Sequence, residues 1–316
     1  MPDVAPRQAR VQAWAKVNLD LRILAREASG FHQLETIFQR ISLCDEVEVQ
    51  VAPGSGIALR CTPGVDVPDE RNLAWRAAAA YREGAGWPDA SHGIAITLDK
   101  RIPTGAGLGG GSADAGAVLR ALNALNPTPL SQQALLGIAT TLGADVPFLT
   151  TDAALALAWG RGERLLALPA LPARRLELAT FTDGVNTAAA YGALAAARAD
   201  GSVAAHGGAV HTIAALRDWT ALATMSCNDF ESPVFALRPD VARVHAAWRA
   251  AAPGALVRMS GSGATVFAVP DDPAATTALA HVTAGWTDDD RMRHLVASSL
   301  EQVPPVTILS PVSGSR

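Results

Sequence analysis

A glycine-rich stretch between Pro103 and Asp114 contains five glycines within seven positions, at 105, 107, 109, 110 and 111. Glycine loses more conformational entropy on folding than any other residue, so such a cluster indicates that a ligand approaches bare backbone. An apolar pattern of helical spacing follows over residues 113–123, and Ser112 and Asp114 suit a helix start. Since free N–H groups at a helix N-terminus bind anions, the stretch predicts a phosphate site.

Alternative interpretations of this stretch differ in what they require elsewhere. The glycines at 105, 107 and 110 match the dinucleotide fingerprint Gly-x-Gly-x-x-Gly. That motif needs an acidic residue about 20 positions on, and no Asp or Glu lies between Asp114 and Asp145. A P-loop needs Gly-Lys-Ser/Thr, and a protein-kinase loop needs VAIK, HRD and DFG motifs; the sequence has none of these. A flexible turn without a ligand is disfavoured because loop and helix start agree so well.

The elements that position the loop follow from hydrophobic patterning. Residues 93–98 read as a strand, which gives the order strand, glycine loop, helix. Residues 11–23 alternate, which predicts a strand with one apolar face and one solvated face. The polar residues of that second face are Lys16, Asn18, Asp20 and Arg22.

Two polar residues stand beside predicted helices. Asn72-Leu73 opens an alanine-rich helix over residues 74–83, where Asn is a good cap. Asp145 follows Gly143, the end of a helix predicted over residues 133–142. The residues alone leave Asp145 open as either a helix cap or a functional carboxylate.

Length and composition limit the class of protein. A chain of 316 residues suggests about two domains. The residue pattern of the sequence changes near Thr151, which predicts domains over 1–152 and 153–316. The net charge of −4 provides no basic footprint for nucleic acid. Three widely separated cysteines fit neither a disulfide framework nor a zinc site.

No signal segment or membrane span is visible, so we expect a cytoplasmic protein without a membrane partner. Residues 304–316 are rich in Pro and Ser, which predicts a loose tail.

Several motifs carry a resemblance to a known family. Pro103–Asp114 resembles the second motif of the GHMP kinase superfamily, Pro-x-x-x-Gly-Leu-Gly-x-x-Ser-Ser/Ala, which wraps the phosphates of ATP. The form with three glycines before Ser112 is most similar to the diphosphocytidyl-methylerythritol kinase family. Ala15–Leu19 is similar to that family's Ala-Lys-hydrophobic-Asn-Leu motif, and Leu142–Phe148 is nearly its signature. Val257–Ala268 resembles the third superfamily motif, which backs the phosphate loop.

The resemblance implies catalytic and substrate-binding roles. Asp145 would be the general base, and Lys16 would stabilise charge near the transferred phosphoryl group. The family's Gly-Tyr-His-x-Leu motif, whose aromatic residue stacks on cytosine, matches residues 30–34 with Phe in place of Tyr. Phe keeps the stacking face and lacks only the hydroxyl. The implied substrate-binding residues are Asn18, Phe31, His32, Thr187 and Tyr191.

The resemblance also implies an ATP site with magnesium, for which Ser112 is the candidate protein ligand. The implied ATP-binding residues are Asn72, Leu73, Pro103, Gly105, Ala106, Gly107, Leu108, Gly109, Gly110, Gly111 and Ser112.

The fold that the resemblance implies is a two-domain α+β GHMP kinase fold. Its N-terminal domain would be like domain 2 of ribosomal protein S5, and its C-terminal domain would be ferredoxin-like. The implied reaction is phosphorylation by ATP of the 2-hydroxyl of 4-diphosphocytidyl-2-C-methylerythritol, in non-mevalonate isoprenoid precursor synthesis. We expect a monomer or a weak homodimer.

Two alternatives remain. A kinase for homoserine or mevalonate is disfavoured by the stretches around His32 and Asp145. A non-catalytic nucleotide-binding protein is disfavoured because both Lys16 and Asp145 are intact.

Overall fold

A computed structural model of the protein describes residues 6–27, 30, 32–64, 68–204, 212, 214–286 and 291–310. Its strands are β1 (Arg7–Arg26), β2 (His32–Ala52), β3 (Ile57–Thr62), β4 (Gly93–Asp99), β5 (Leu155–Gly160), β6 (Arg164–Ala167), β7 (Arg175–Phe181), β8 (Leu256–Met259), β9 (Val266–Val269), β10 (Met292–Ser298) and β11 (Thr307–Leu309). Its helices are α1 (Leu73–Gly84), α2 (Gly110–Leu125), α3 (Gln132–Leu142), α4 (Val146–Thr150), α5 (Thr187–Ala199), α6 (Trp219–Met225), α7 (Glu231–Leu237), α8 (Pro239–Ala251) and α9 (Pro273–Ala284). Short 3₁₀ turns cover Asp69–Arg71 and Ala215–Arg217.

The first sheet is built on the long antiparallel pair of β1 and β2. Its strand order is β11-β1-β2-β4-β3, with β5 paired to β2 and β6 paired to β5. Helix α2 packs on β1 and β2 and contacts α1 on its flank. Val17, Leu98 and Leu119 are fully buried in the apolar core between this sheet and its helices. The core therefore fixes the start of α2 over the middle of β1.

The second sheet has the strand order β10-β7-β9-β8, and all its pairings are antiparallel. Helices lie between β7 and β8 and between β9 and β10, which gives the chain order and strand order of a ferredoxin-like sheet. A second apolar core forms around Trp248, Val266 and Leu279, and Ile23 from the end of β1 enters it. The predicted α+β fold is therefore confirmed, and β1 contributes to both cores.

The chain beyond residue 152 first extends the N-terminal sheet, because β5 pairs with β2 and β6 with β5. The boundary between 1–152 and 153–316 stays a prediction, with the sheet pairing continuing to Ala167. The prediction of a loose tail from residue 304 is wrong over Thr307–Leu309, because these residues pair with Gln8–Arg10 of β1. Backbone hydrogen bonds, which side-chain patterning does not report, order this segment.

The prediction that one face of β1 is solvated is also wrong. Lys16, Asn18 and Asp20 are each 3% exposed or less. Register shifts between Trp14 and Lys16 and between Asn18 and Asp20 interrupt the alternation. Residues 226–229 then lie along the strand, where the N–H of Asp229 donates to the carbonyl of Leu21 at 3.0 Å. These polar side chains consequently lie inside the molecule.

In the part of the chain that the structure describes, no helix is both long enough and apolar enough to span a bilayer.

Candidate active site

A cleft of about 820 Å³ lies between the glycine loop, the middle of β1 and the turn after β8. It brings together most of the residues that the sequence singled out. Those that line it are Lys16, Asn18, Asn72, Leu73, Pro103, Gly105, Ala106, Gly107, Gly109, Gly110, Gly111, Ser112, Asp145, Thr187 and Tyr191.

The glycine loop leads directly into α2. Gly109 precedes the helix in a left-handed conformation, with φ of 72° and ψ of 22°. The first backbone hydrogen bond across this start is donated by Ala113 to the Gly109 carbonyl at 2.8 Å. The N–H groups of the first turn, Gly110 to Ser112, therefore precede the helical ladder and belong to the part of a helix that attracts anions.

The loop is also held tightly against its neighbours. A Cβ atom on Gly107 would lie 2.3 Å from the carbonyl oxygen of Ser260, and one on Gly109 would lie 3.1 Å from Lys16 Cε. Both glycines have positive φ. They are required by conformation and by close packing together.

Asp145 forms an ion pair with Lys16, whose Nζ lies 3.2 Å from Asp145 Oδ2. The Lys16 side chain is 4% exposed and that of Asp145 is 28% exposed. Asp145 occupies the N-cap position of α4, yet within the described residues its carboxylate caps no N–H of that helix. The geometry thus disfavours a capping role and leaves the carboxylate turned to the cleft.

Lys16 is positioned by a chain of hydrogen bonds along β1 and β2. Its Nζ donates to Asn18 Oδ1 at 2.7 Å, and Asn18 Nδ2 donates to Thr36 Oγ1 at 2.8 Å. Thr36 Oγ1 in turn donates to the Asp20 carbonyl at 2.6 Å. Lys16 Nζ also lies 5.5 Å from the centre of the Phe38 ring. The ammonium group is therefore fixed at the bottom of the cleft.

Tyr191 lines the cleft and stacks on His32 behind it. The rings of His32 and Tyr191 stack with centroids 4.4 Å apart, and Phe230 meets Tyr191 edge-on at 4.9 Å. Burial, with Arg26 and Arg198 nearby, lowers the pKa of His32 below its usual value. A neutral imidazole on an aromatic ring suits the recognition of a planar base. His32 reaches the site through Tyr191 and is not itself among the residues that line the cleft.

Four other predicted residues have distinct placements. Phe31 lies outside the described residues. Leu108 is 1% exposed in the first core, where its carbonyl accepts the N–H of Lys16 at 3.0 Å. Thr187 Oγ1 lies 3.0 Å from Ser262 Oγ across the cleft rim. Asn72 caps α1, its side chain accepting the N–H of Ala74 at 2.9 Å, which is the role that its sequence position suggested.

A cluster of charged side chains, which the sequence analysis did not predict, lies beneath the glycine loop. Lys100 Nζ donates to Asp114 Oδ2 at 2.5 Å and also to Asp45 Oδ2. Asp45 Oδ1 accepts the N–H of Ile102 at 2.8 Å, which fixes the chain where it enters the loop. Burial raises the pKa of Asp114 to about 7, an effect that Lys100 opposes and Asp45 reinforces. The lysine at the end of β4 and the aspartate on α2 were visible in the sequence, but Asp45 lies 55 residues before Lys100.

The family model for the GHMP kinases N terminal domain matches residues 72–153, and the model for GHMP kinases C terminal matches residues 212–288. A crystal structure of homoserine kinase from Cytophaga hutchinsonii aligns over 96% of this chain and 97% of that one, with a TM-score of 0.67 at 20% identity. By fold, the protein is a GHMP kinase.

Two comparisons narrow the class. The 4-diphosphocytidyl-2-C-methyl-D-erythritol kinase of Desulfotalea psychrophila is 39% identical over 261 residues, which are 82% of this chain and 84% of that protein. A crystal structure of 4-(cytidine 5'-diphospho)-2C-methyl-D-erythritol kinase has a TM-score of 0.70 at 37% identity and covers 92% of this chain and 98% of that chain. The chain therefore belongs to the 4-diphosphocytidyl-2-C-methyl-D-erythritol kinase family.

Proposed function

We propose that the protein transfers the γ-phosphoryl group of ATP to the 2-hydroxyl of 4-diphosphocytidyl-2-C-methyl-D-erythritol, which gives the 2-phosphate and ADP. The observation that carries the proposal is the Lys16–Asp145 pair, which lines the same cleft as the glycine loop and Tyr191. We infer that this product serves non-mevalonate isoprenoid precursor synthesis, which is the pathway that the family resemblance implies.

The chemical step needs a proton acceptor beside the attacking hydroxyl. Asp145 turns its carboxylate to the cleft and is free of a helix-capping hydrogen bond within the described chain. It is the proposed general base, which takes the proton as the oxygen attacks phosphorus. Burial and, to a smaller extent, the charge of Asp145 raise the pKa of Tyr191, and both residues line the cleft.

Lys16 supplies fixed positive charge next to this base. In phosphoryl transfer, catalysis is almost entirely positioning and electrostatic stabilisation. Because Asn18 holds Lys16 Nζ at 2.7 Å, the charge is in place before the substrate binds and little reorganisation is needed during the reaction. Asn18 also lines the cleft, where it is the proposed contact to the substrate's polyol part.

The proposed site of the ATP triphosphate is the start of α2, with Asn72 and Leu73 towards the adenine. Magnesium travels with ATP phosphates and usually keeps several waters with one or two protein oxygens. The donors present fit such an ion: Ser112 and Asp114 both line the cleft, and Asp114 Oδ1 has no hydrogen-bond partner within the described residues. Magnesium would neutralise charge on the phosphates, and Ser112 is its proposed ligand.

The proposed cytosine site is formed by Phe31, His32 and Tyr191. The stacked rings of His32 and Tyr191 offer a planar surface with a polar edge. Stacking on an aromatic ring contributes about 1–3 kcal/mol per base. Binding of the remote base then holds the small 2-hydroxyl in line with ATP.

Both earlier alternatives are less consistent with this cleft. Homoserine and mevalonate contain no nucleobase, so a kinase for either compound would have nothing to stack on the His32–Tyr191 pair. A non-catalytic nucleotide-binding protein has no need for a lysine 3% exposed beside a carboxylate.

The test is ADP release by the purified full chain with ATP and magnesium, measured separately with the cytidylated alcohol, homoserine and mevalonate. The proposal expects turnover with the cytidylated alcohol and little above background with the other two. Faster turnover with homoserine or mevalonate would overturn the proposed substrate, and ATP binding without turnover on any of the three would favour the non-catalytic alternative.

A further inference from the structure

The carboxamide of Asn228 is fully engaged in hydrogen bonds beside the site. Its Nδ2 donates to the carbonyls of Met259 at 2.7 Å and Gly261 at 2.8 Å. Its Oδ1 accepts the N–H of Phe230 at 2.9 Å, and the residue is 5% exposed. These partners fix the orientation of the amide, because two carbonyls require its donor side and one N–H requires its acceptor side.

The turn that Asn228 holds packs directly on the glycine loop. Ser260 Oγ donates to the Gly107 carbonyl at 2.9 Å, and the N–H of Thr265 donates to the Ala106 carbonyl at 3.2 Å. A Cβ atom on Gly261 would lie 3.5 Å from Lys16 Nζ. The position of the turn therefore limits where both the loop and the Lys16 ammonium can lie.

The residues after Asn228 tie the same segment to β1 and to α5. Asp229 Oδ2 accepts the N–H of Ile23 at 2.8 Å and a hydrogen bond from Arg198 Nη2 at 2.8 Å. Glu231 Oε1 accepts the N–H of Met259 at 2.9 Å. Met259 is thus held through its N–H by Glu231 and through its carbonyl by Asn228, and Asp229, which lies between them in the sequence, is hydrogen-bonded to the strand that carries Lys16.

We propose that Asn228 is a positioning residue of the ATP phosphate site, because its two donated hydrogen bonds set the turn at Ser260–Gly263 against the glycine loop and Lys16. The proposal deepens the proposed function and rests on it only for the turnover measurements. Among the described residues, Asn228 is not one of those that line the cleft. Its effect passes through the turn, and misplacement by about 1 Å at a reacting centre costs on the order of 10²-fold in rate.

The experiment compares Asn228→Ala and Asn228→Asp with Asn126→Ala. Asn126 is a matched control: it is 8% exposed, donates to Tyr81 Oη at 3.0 Å and accepts the N–H of Thr128 at 3.0 Å, away from the cleft lining. We would measure melting temperatures, the Kd of a non-hydrolysable ATP analogue by calorimetry, and kcat and KM for the cytidylated alcohol, all well below the lowest melting temperature.

Both Asn228 variants should raise the Kd of the ATP analogue and lower kcat, each by about 10-fold or more, with the KM of the alcohol nearly unchanged. Asn126→Ala should lower the melting temperature without these effects. A folded Asn228→Ala protein with wild-type Kd and kcat would overturn the proposal, and so would equal losses in Asn126→Ala.

A second variant keeps the test decisive if neither Asn228 protein folds. Ser260→Ala removes the hydrogen bond from the turn to Gly107 and leaves Asn228 intact. The proposal expects a raised Kd for the ATP analogue here also, and an unchanged Kd would contradict it. If the wild-type enzyme does not phosphorylate the cytidylated alcohol, the proposed function fails, while the ATP-analogue measurements still decide the role of Asn228.

Discussion

Lys16 Nζ and Asp145 Oδ2 lie 3.2 Å apart although 129 positions separate the two residues in the sequence. Lys16 is on β1, and Asp145 directly precedes α4. The pairing depends on the irregularities in β1, because the register shifts flank the segment that carries Lys16 and Asn18. It also depends on α4 beginning without a cap from Asp145 in the described chain. Because of these two features, the side chains of Lys16, Asn18 and Asp145 line the cleft, while β1 loses regular strand pairing and α4 lacks a side-chain cap.

Replacing Asp145 with Asn should separate chemistry from folding. The amide keeps the size and can still accept a hydrogen bond from Lys16, but it cannot take a proton. We expect turnover to fall by about 10²-fold or more, with the KM of both substrates and the melting temperature nearly unchanged. Steady-state kinetics and a thermal melt check this, and near-wild-type turnover in the variant would return Asp145 to a structural role.

Gly111 is the position at which to block the phosphate site. Gly109→Val would confound the test, because Gly109 has positive φ and a Cβ there meets Lys16. Gly111 is exposed, and among the described residues its Cβ would meet only Leu73 Cδ1, at 3.6 Å. We expect Gly111→Val to fold and to lose ATP affinity by about 10-fold or more, since the side chain projects where phosphates must approach the backbone.

The matched control for Gly111→Val is Gly137→Val. Gly137 is an exposed glycine inside α3, and a Cβ there meets no atom of the described chain within 4 Å. The same substitution should leave ATP affinity at the wild-type value, as calorimetry would show. Equal ATP affinity in both folded variants would remove the phosphate-site assignment.

Aromatic stacking predicts a selective effect on the cytidylated substrate. Tyr191→Ala removes the ring on which His32 stacks, and Phe31→Ala removes the other proposed aromatic contact. Loss of about 1–3 kcal/mol of stacking corresponds to a rise in KM of roughly 5- to 150-fold. The KM of ATP should hardly change, and free CMP or CDP should inhibit each variant less strongly than wild type.

A parallel shift of both KM values, or a large loss of melting temperature, would instead identify these rings as core. Tyr191→Phe is the control, because it keeps the ring and removes only the hydroxyl.

Asp114 predicts a pH dependence of stability. Its folded-state pKa of about 7 lies above the value of about 3.9 expected in the unfolded chain, so the folded protein binds the proton more tightly. The contribution of Asp114 to the free energy of unfolding is therefore fully present below about pH 4 and is lost as pH rises through 7. Asp114→Asn cannot ionise, so relative to this variant the wild type should become less stable between about pH 5 and about pH 8.

Urea unfolding of both proteins at the two pH values measures this difference. Asp99→Asn serves as the control, because the Asp99 side chain is 52% exposed in its pair with Arg101. A stability difference between wild type and Asp114→Asn that stays constant with pH would contradict the prediction.

The sequence predicted those parts of the site whose residues are close along the chain. The strand, glycine loop and α2 follow from local composition and periodicity, and the loop lies where that order places it. Lys16 and Asp145 were paired only through a family resemblance, because patterning carries no information about contacts between distant residues. The register shifts in β1 and the return of β11 to the first sheet depend on tertiary pairing, so alternation alone gave a wrong solvated face and a wrong loose tail.

Asn228 and Asp45 illustrate the same limit. Each is one polar residue among many in the sequence, and each acquires a function only through backbone groups far along the chain.

Proton-coupled ³¹P NMR of the reaction mixture shows directly whether phosphate is transferred to the 2-hydroxyl. In 2-C-methylerythritol the carbon that bears the 2-hydroxyl carries a methyl group and no hydrogen, so a phosphate placed there has no proton three bonds away. With ATP, magnesium and the cytidylated alcohol, we expect ADP together with a new phosphomonoester signal that is a singlet. A doublet or triplet, which would place the phosphate on a carbon bearing hydrogen, or ADP with only inorganic phosphate, would contradict it.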